Sequence, residues 1–142
     1  MGLSSYHVHG SFDKKKRKEI VARVVKELRD VDFDALAVRG VSGLILAPIV
    51  AYLLDKYVIV VRKPSVNSHA SESVESPITA GKYVIFDDFV SSGATARAIK
   101  EEIDKNYPSL VCVGGYVWLA KRCFDQVGTR DMKVKDLNAG KK

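Results

Sequence analysis

Apolar positions along the chain follow two periods. Between 14 and 30, Ile20, Val21, Val24, Val25 and Leu28 recur at three- and four-residue spacing, which predicts an amphipathic helix with Asp13 as its N-cap. A second helix is predicted over 44–56, mostly apolar, with Pro48 near enough to its start to be accommodated. A third runs from about 96 to 106, stopping before Pro108. Between the helices lie short runs of strand length: 34–38, the β-branched 57–61, 83–86, and 110–119. The run 83–86 is apolar throughout, without alternation, as expected for a strand buried on both faces.

Strands alternating with helices predict an α/β fold: a doubly wound, mainly parallel sheet of about five strands with helices on both faces and right-handed crossovers. Ligands of such sheets sit at the carboxyl ends of the strands. Three polar loops fall there, at 39–43, 62–81 and 87–95. Residues 64–81 have no helical period, are rich in Ser and are bracketed by Pro64 and Pro77. So long a connection is uncommon in a compact domain unless it is functional. A mobile active-site loop is expected, with a β-hairpin as the alternative. Residues 1–12 and 120–142 show no clear pattern, and no internal repeat is visible.

Composition narrows the class. At 142 residues the chain makes one domain with room for a core. No apolar run approaches the roughly 20 residues that span a bilayer, and the N-terminus lacks the apolar segment of a secretory signal. Cys112 and Cys123 are too few for a disulfide framework or a metal knuckle, and Cys112 lies in an apolar run, as a small buried residue would. A cytoplasmic, reducing location is expected. The net charge of +6 suits a nucleic-acid partner or a ligand with several phosphates. Lys14, Lys15, Lys16, Arg17 and Lys18 crowd the start of the first helix, the unfavourable end for positive charge. They form either a solvated face or a surface for an acidic partner.

The most informative stretch is 83–97. A buried strand ends in Asp87 and Asp88; Ser91, Ser92, Gly93, Ala94 and Thr95 then lead into a helix. Unpaired N–H groups at a helix start bind phosphate, small residues let it approach, and Ser92 and Thr95 add hydroxyl donors. Two carboxylates there would repel a phosphate, but they suit the hydroxyls of a sugar or a divalent metal bound to it. The plain alternative is a strand followed by a helix with a Ser N-cap.

VIFDDFVSSGAT, at 84–95, resembles the phosphoribosyl-pyrophosphate (PRPP) motif of type I phosphoribosyltransferases, with Ser92 for its first Thr and Ala94 for its second Gly. VRGVSG, at 38–43, is similar to the family's pyrophosphate loop, and VVRK, at 60–63, to the strand end of its adenine- and orotate-type members. The resemblance spans most of 33–119, taken as the core of a single domain over 1–142. It implies transfer of the 5-phosphoribosyl group from PRPP to a purine or pyrimidine base. Pyrophosphate leaves through an oxocarbenium-like transition state.

The resemblance also implies roles. Asp87 and Asp88 hold the ribose hydroxyls, directly or through Mg²⁺ and water, and with Lys63 form the catalytic set. Ser91, Ser92, Gly93, Ala94 and Thr95 bind the 5′-phosphate. Arg39, Gly40, Val41, Ser42, Gly43, Arg62 and Lys63 bind pyrophosphate. Mg²⁺ is the expected cofactor and a homodimer the expected assembly. The base falls to a small hood from 1–12 and 118–142, where Trp118 could stack on it or simply pack in the core, and His69 is a loop candidate. A PRPP- or nucleotide-binding regulator of the same fold is the second hypothesis. A nucleic-acid binder is the third and lacks interleaved aromatics or a recognised motif.

Overall fold

The computed structural model describes residues 14–63, 73–87, 94–118 and 122–124. Helix α1 (Lys14–Leu28) turns Ile20, Val21, Val24 and Leu28 inward, as its spacing predicts. Strand β1 (Ala35–Val38) follows, then helix α2 (Val41–Leu54) and strand β2 (Tyr57–Val61). Strands β3 (Val74–Glu75) and β4 (Ala80–Asp87) come next, then helix α3 (Ala94–Asn106) and strands β5 (Ser109–Val117) and β6 (Arg122–Phe124).

The six strands form one sheet in the order β3-β2-β1-β4-β5-β6. The inner four, β2, β1, β4 and β5, are mutually parallel, and the short outer strands are antiparallel to their neighbours. The sheet thus has six strands against about five expected, and its two outermost, β3 and β6, lie outside the four strand runs read from the sequence. Strand β1 and the second half of β4 are buried on both faces because their residues alternate between two cores. Leu36, Val38, Val84 and Phe86 face α1 and α2. Ala35, Ala37, Tyr83 and Ile85 face Ala96, Ile99 and Ile103 of α3. Each fully buried Val, Leu, Ile or Phe among them contributes about 1.5–3 kcal/mol. Strand β5 carries a bulge where the register against β4 shifts between Tyr83 and Val84, and Gly114 takes up the distortion at φ 144°.

Two boundaries differ from the sequence-based expectation. Helix α2 begins at Val41, so the expected loop over 39–43 shrinks to Arg39 and Gly40. Gly40 sits at φ 92°, a conformation that turns the chain in a single step. Gly43 then lets the first turn lie against the sheet, since a Cβ there would stand 3.1 Å from Val38 Cβ and 3.5 Å from the Phe86 carbonyl. The second difference is in 64–81. Of this stretch, 64–72 lie outside the described residues. Val74 and Glu75 pair with Val61 and Val60 as a β-hairpin, the alternative expected from the sequence, and β4 already starts at Ala80.

Candidate functional site

Parallel register aligns the strand ends. Val38 is level with Val60, and Ala37 with Ile85, so β1, β2 and β4 deliver their following residues to one carboxyl edge. Arg39 and Gly40 follow β1, Arg62 and Lys63 follow β2, and Asp87 closes β4. Helices α2 and α3 each follow a strand that ends at this edge, so their first turns stand there too. Helix starts present unpaired N–H groups and the positive end of the dipole. Gly40 caps α2 with no side-chain hydrogen bond, and neither helix has an acid in its first turn. Val41, Ser42 and Gly43 therefore enter the site as the backbone of α2's first turn, and Ala94 and Thr95 as that of α3.

The two cationic loops touch. Arg39 Nη2 donates to the Arg62 carbonyl at 3.4 Å, while the buried Arg39 Nε has no hydrogen-bond partner. The Arg62 N–H donates to the Ser73 carbonyl at 2.7 Å, and its guanidinium meets the Glu75 carboxylate at 2.8 Å. Lys63 is exposed beside them. Asp87, at 8% exposure, is the buried charged residue among the described residues. Its carbonyl accepts the Trp118 N–H at 2.9 Å, tying the end of β4 to the end of β5.

Of the residues expected to act, Asp88, Ser91, Ser92, Gly93 and His69 lie outside the described residues, as do 1–12 of the expected hood and most of its C-terminal part. Arg39, Gly40, Arg62, Lys63, Asp87 and the starts of α2 and α3 are brought to one edge. Trp118 departs from its stacking role. It is 1% exposed and packs with Phe33, Phe86 and Tyr116 beneath α1, and its carbonyl accepts a hydrogen bond from Arg23 Nη2. The ring shares the core cluster that also holds Ile20, Val21 and Val24 of α1. No cis peptide bond occurs among the described residues.

Sequence reasoning missed Glu75. Its signal was weak: one of two acids in a Ser-rich stretch, significant only once β3 is paired with β2. It also missed the brace behind it. Ser73 Oγ donates to Glu102 Oε2 at 2.6 Å and accepts from Asn106 Nδ2 at 3.2 Å, which fastens the hairpin stem to α3.

Likeness to known proteins points the same way. No protein-family model matches the chain. It is 28% identical over 108 residues to the adenine phosphoribosyltransferase of Thermosipho africanus, covering 66% of this chain and 64% of that one. It is 25% identical over 123 residues to the adenine phosphoribosyltransferase of Petrotoga mobilis, covering 74% and 71%. The orotate phosphoribosyltransferase structure from Aeropyrum pernix superposes with a TM-score of 0.62 at 21% identity, covering 76% of this chain and 61% of that one. The chain has the type I phosphoribosyltransferase fold and is similar in sequence to adenine phosphoribosyltransferases. It spans less than two thirds of the length of the Thermosipho relative. The edge holding Arg39, Arg62 and Asp87 is built from VRGVSG, VVRK and the described part of VIFDDFVSSGAT.

Proposed function

We propose that the protein transfers the 5-phosphoribosyl group from PRPP to a nitrogenous base, releasing pyrophosphate. One observation carries this: Arg39, Arg62, Lys63, the start of α2 and Asp87 converge on one sheet edge in a chain related to adenine phosphoribosyltransferases. Cations and helix amides on one side, with a carboxylate on the other, match a substrate that is anionic at both ends and hydroxylated between.

In the proposed reaction the α2 first-turn amides, Arg39, Arg62 and Lys63 hold the pyrophosphate and offset the charge that builds on it as the C1–O bond breaks. The start of α3, with Ser91, Ser92, Gly93, Ala94 and Thr95, grips the 5′-phosphate. Asp87 and Asp88 hold the ribose hydroxyls, and their negative charge favours the cationic sugar. The base nitrogen then forms its bond to C1.

Mg²⁺ fits this donor set. No group of three or more acidic, His or Cys side chains stands ready for a metal among the described residues, and Asp87 offers an acidic oxygen. Mg²⁺ is commonly held by one or two carboxylates, substrate phosphates and water. When bound it supplies charge neutralisation at the leaving pyrophosphate. Asp87 and Asp88 would hold it, directly or through water.

The purified protein, given Mg²⁺, PRPP and a panel of bases headed by adenine, should release pyrophosphate with one of them. Release with none would remove the transferase reading. A PRPP-binding regulator is the second reading, favoured by the burial of Trp118, which withdraws an aromatic platform from the base. Its mark is PRPP-dependent thermal stabilisation without turnover. A homodimer belongs to the proposal and is checked by light scattering, and a cytoplasmic location by cell fractionation. No helix among the described residues is long and apolar enough to cross a membrane.

A further inference from the structure

Arg39, Arg62 and Lys63 gather cations where two helix starts already present positive ends, so each added charge raises the cost of the next. A resident anion eases this. Val60 pairs with Glu75 across the hairpin, which puts Arg62, two residues further on, diagonally beside Glu75 on the same face. Their side chains meet at 2.8 Å. The main chain of Arg62 is held on both sides, by its N–H to Ser73 and by Arg39 on its carbonyl. Ser73 is braced in turn by Glu102 and Asn106. The backbone is therefore fixed, and the guanidinium is the part with a choice of partner.

We infer that Glu75 is a resident counter-ion that competes with ligand phosphate for Arg62, and so sets how tightly pyrophosphate is held. It is a positioning residue acting through Arg62, and the inference rests on the phosphoribosyl-transfer reading of this edge. The two side chains are 47% and 55% exposed, so solvent screens their pairing and it is weak. A phosphate group carries more charge and more acceptor oxygens than a carboxylate and pairs with the guanidinium in bidentate fashion. Glu75 thus holds Arg62 when the edge is empty and yields it when pyrophosphate arrives.

Calorimetric titration of the full chain with inorganic pyrophosphate in Mg²⁺ tests this. Glu75→Gln should lower the pyrophosphate Kd about threefold, the size of an exposed pair. Arg62→Gln should raise it about tenfold, and the double variant should match Arg62→Gln. If Glu75 only stiffens the hairpin, Glu75→Gln will lower the melting temperature and leave the Kd unchanged or raised; that result overturns the inference. Wild-type binding unaltered by Arg62→Gln overturns it too, while leaving the transfer reading standing. Absence of pyrophosphate binding by the wild-type protein sinks both.

Discussion

The two edges of the parallel sheet treat charge in opposite ways. At the amino edge the protein satisfies its own charges. Lys82 Nζ meets Asp32 at 2.6 Å, the Asp34 carboxylate accepts the Lys82 N–H at 2.8 Å, and Lys56 donates to the Phe33 carbonyl at 2.7 Å. The Lys56 ammonium also lies 4.8 Å from the centre of the Phe33 ring. At the carboxyl edge Arg39 Nε goes without a hydrogen-bond partner, Arg62 has a half-exposed counter-ion, and Asp87 is buried near helix starts. Charge that is consumed internally fastens strand ends. Charge gathered at the carboxyl edge is less fully paired, with Arg39 Nε lacking a hydrogen-bond partner and Arg62 held by a solvent-screened ion pair.

Exchanging carboxylates is the hardest test of that contrast. Asp87→Asn, nearly isosteric, should lower phosphoribosyl transfer at least about 100-fold with little change in melting temperature, whereas Asp32→Asn should leave turnover alone. Equal turnover in the two variants, followed by pyrophosphate release, would erase the distinction between the edges.

Glycines separate the edges by a different readout. A Cβ at Gly81 would stand 2.6 Å from Asp34 Oδ2 at φ 130°, so Gly81→Ala should cost about 2–4 kcal/mol in denaturant unfolding. At Gly40 a Cβ meets nothing within 4 Å and only the backbone conformation resists. Gly40→Ala should therefore cost less, about 1–2 kcal/mol, while weakening pyrophosphate binding, which Gly81→Ala should not do in the folded fraction.

Between the edges, burial raises the phenols of Tyr83 and Tyr116 well above their ordinary value, with Cys112 adding a smaller push on Tyr83 and Glu27 on Tyr116. Both groups keep their protons in the folded chain and lose them at about pH 10 when unfolded. Their contribution to stability is complete below that pH and is lost as pH rises through and above it. Denaturation midpoints followed from pH 8 to 11 should fall at the alkaline end, and Tyr83→Phe should flatten the fall. The smallest effect is expected at Lys82. Its pKa is raised, chiefly by the hydrogen bond to Asp32, but its side chain is half-exposed and the pairing is screened by solvent. Lys82→Gln should leave turnover unchanged and barely move the melting temperature.

Much of this contrast was legible in the residues. The stripe of Ile20, Val21, Val24 and Leu28 marked the buried face of α1, and Tyr57–Val61 is the β2 strand as its β-branched run indicates. Arg39, Arg62 and Asp87 could be assigned to one edge because apolar strands alternating with helices imply parallel ends. Other features depended on contacts distant in sequence. Gly43 suggests a loop residue, and only the close approach of Val38 and Phe86 explains it inside a helix. Val74 and Glu75 have too little local pattern to indicate a strand until β2 pairs with them. Trp118 is apolar and aromatic in either role, and its place in the core cluster decided between them.

The outermost strands, β3 and β6, have two and three residues. An open sheet margin offers free amides and carbonyls to any stray chain, and long flat margins seed fibrils. Here each margin finishes in a strand too short for a foreign ladder to grow along. Among the described residues, a sheet rich in Val and Ile is thus left without a long flat margin.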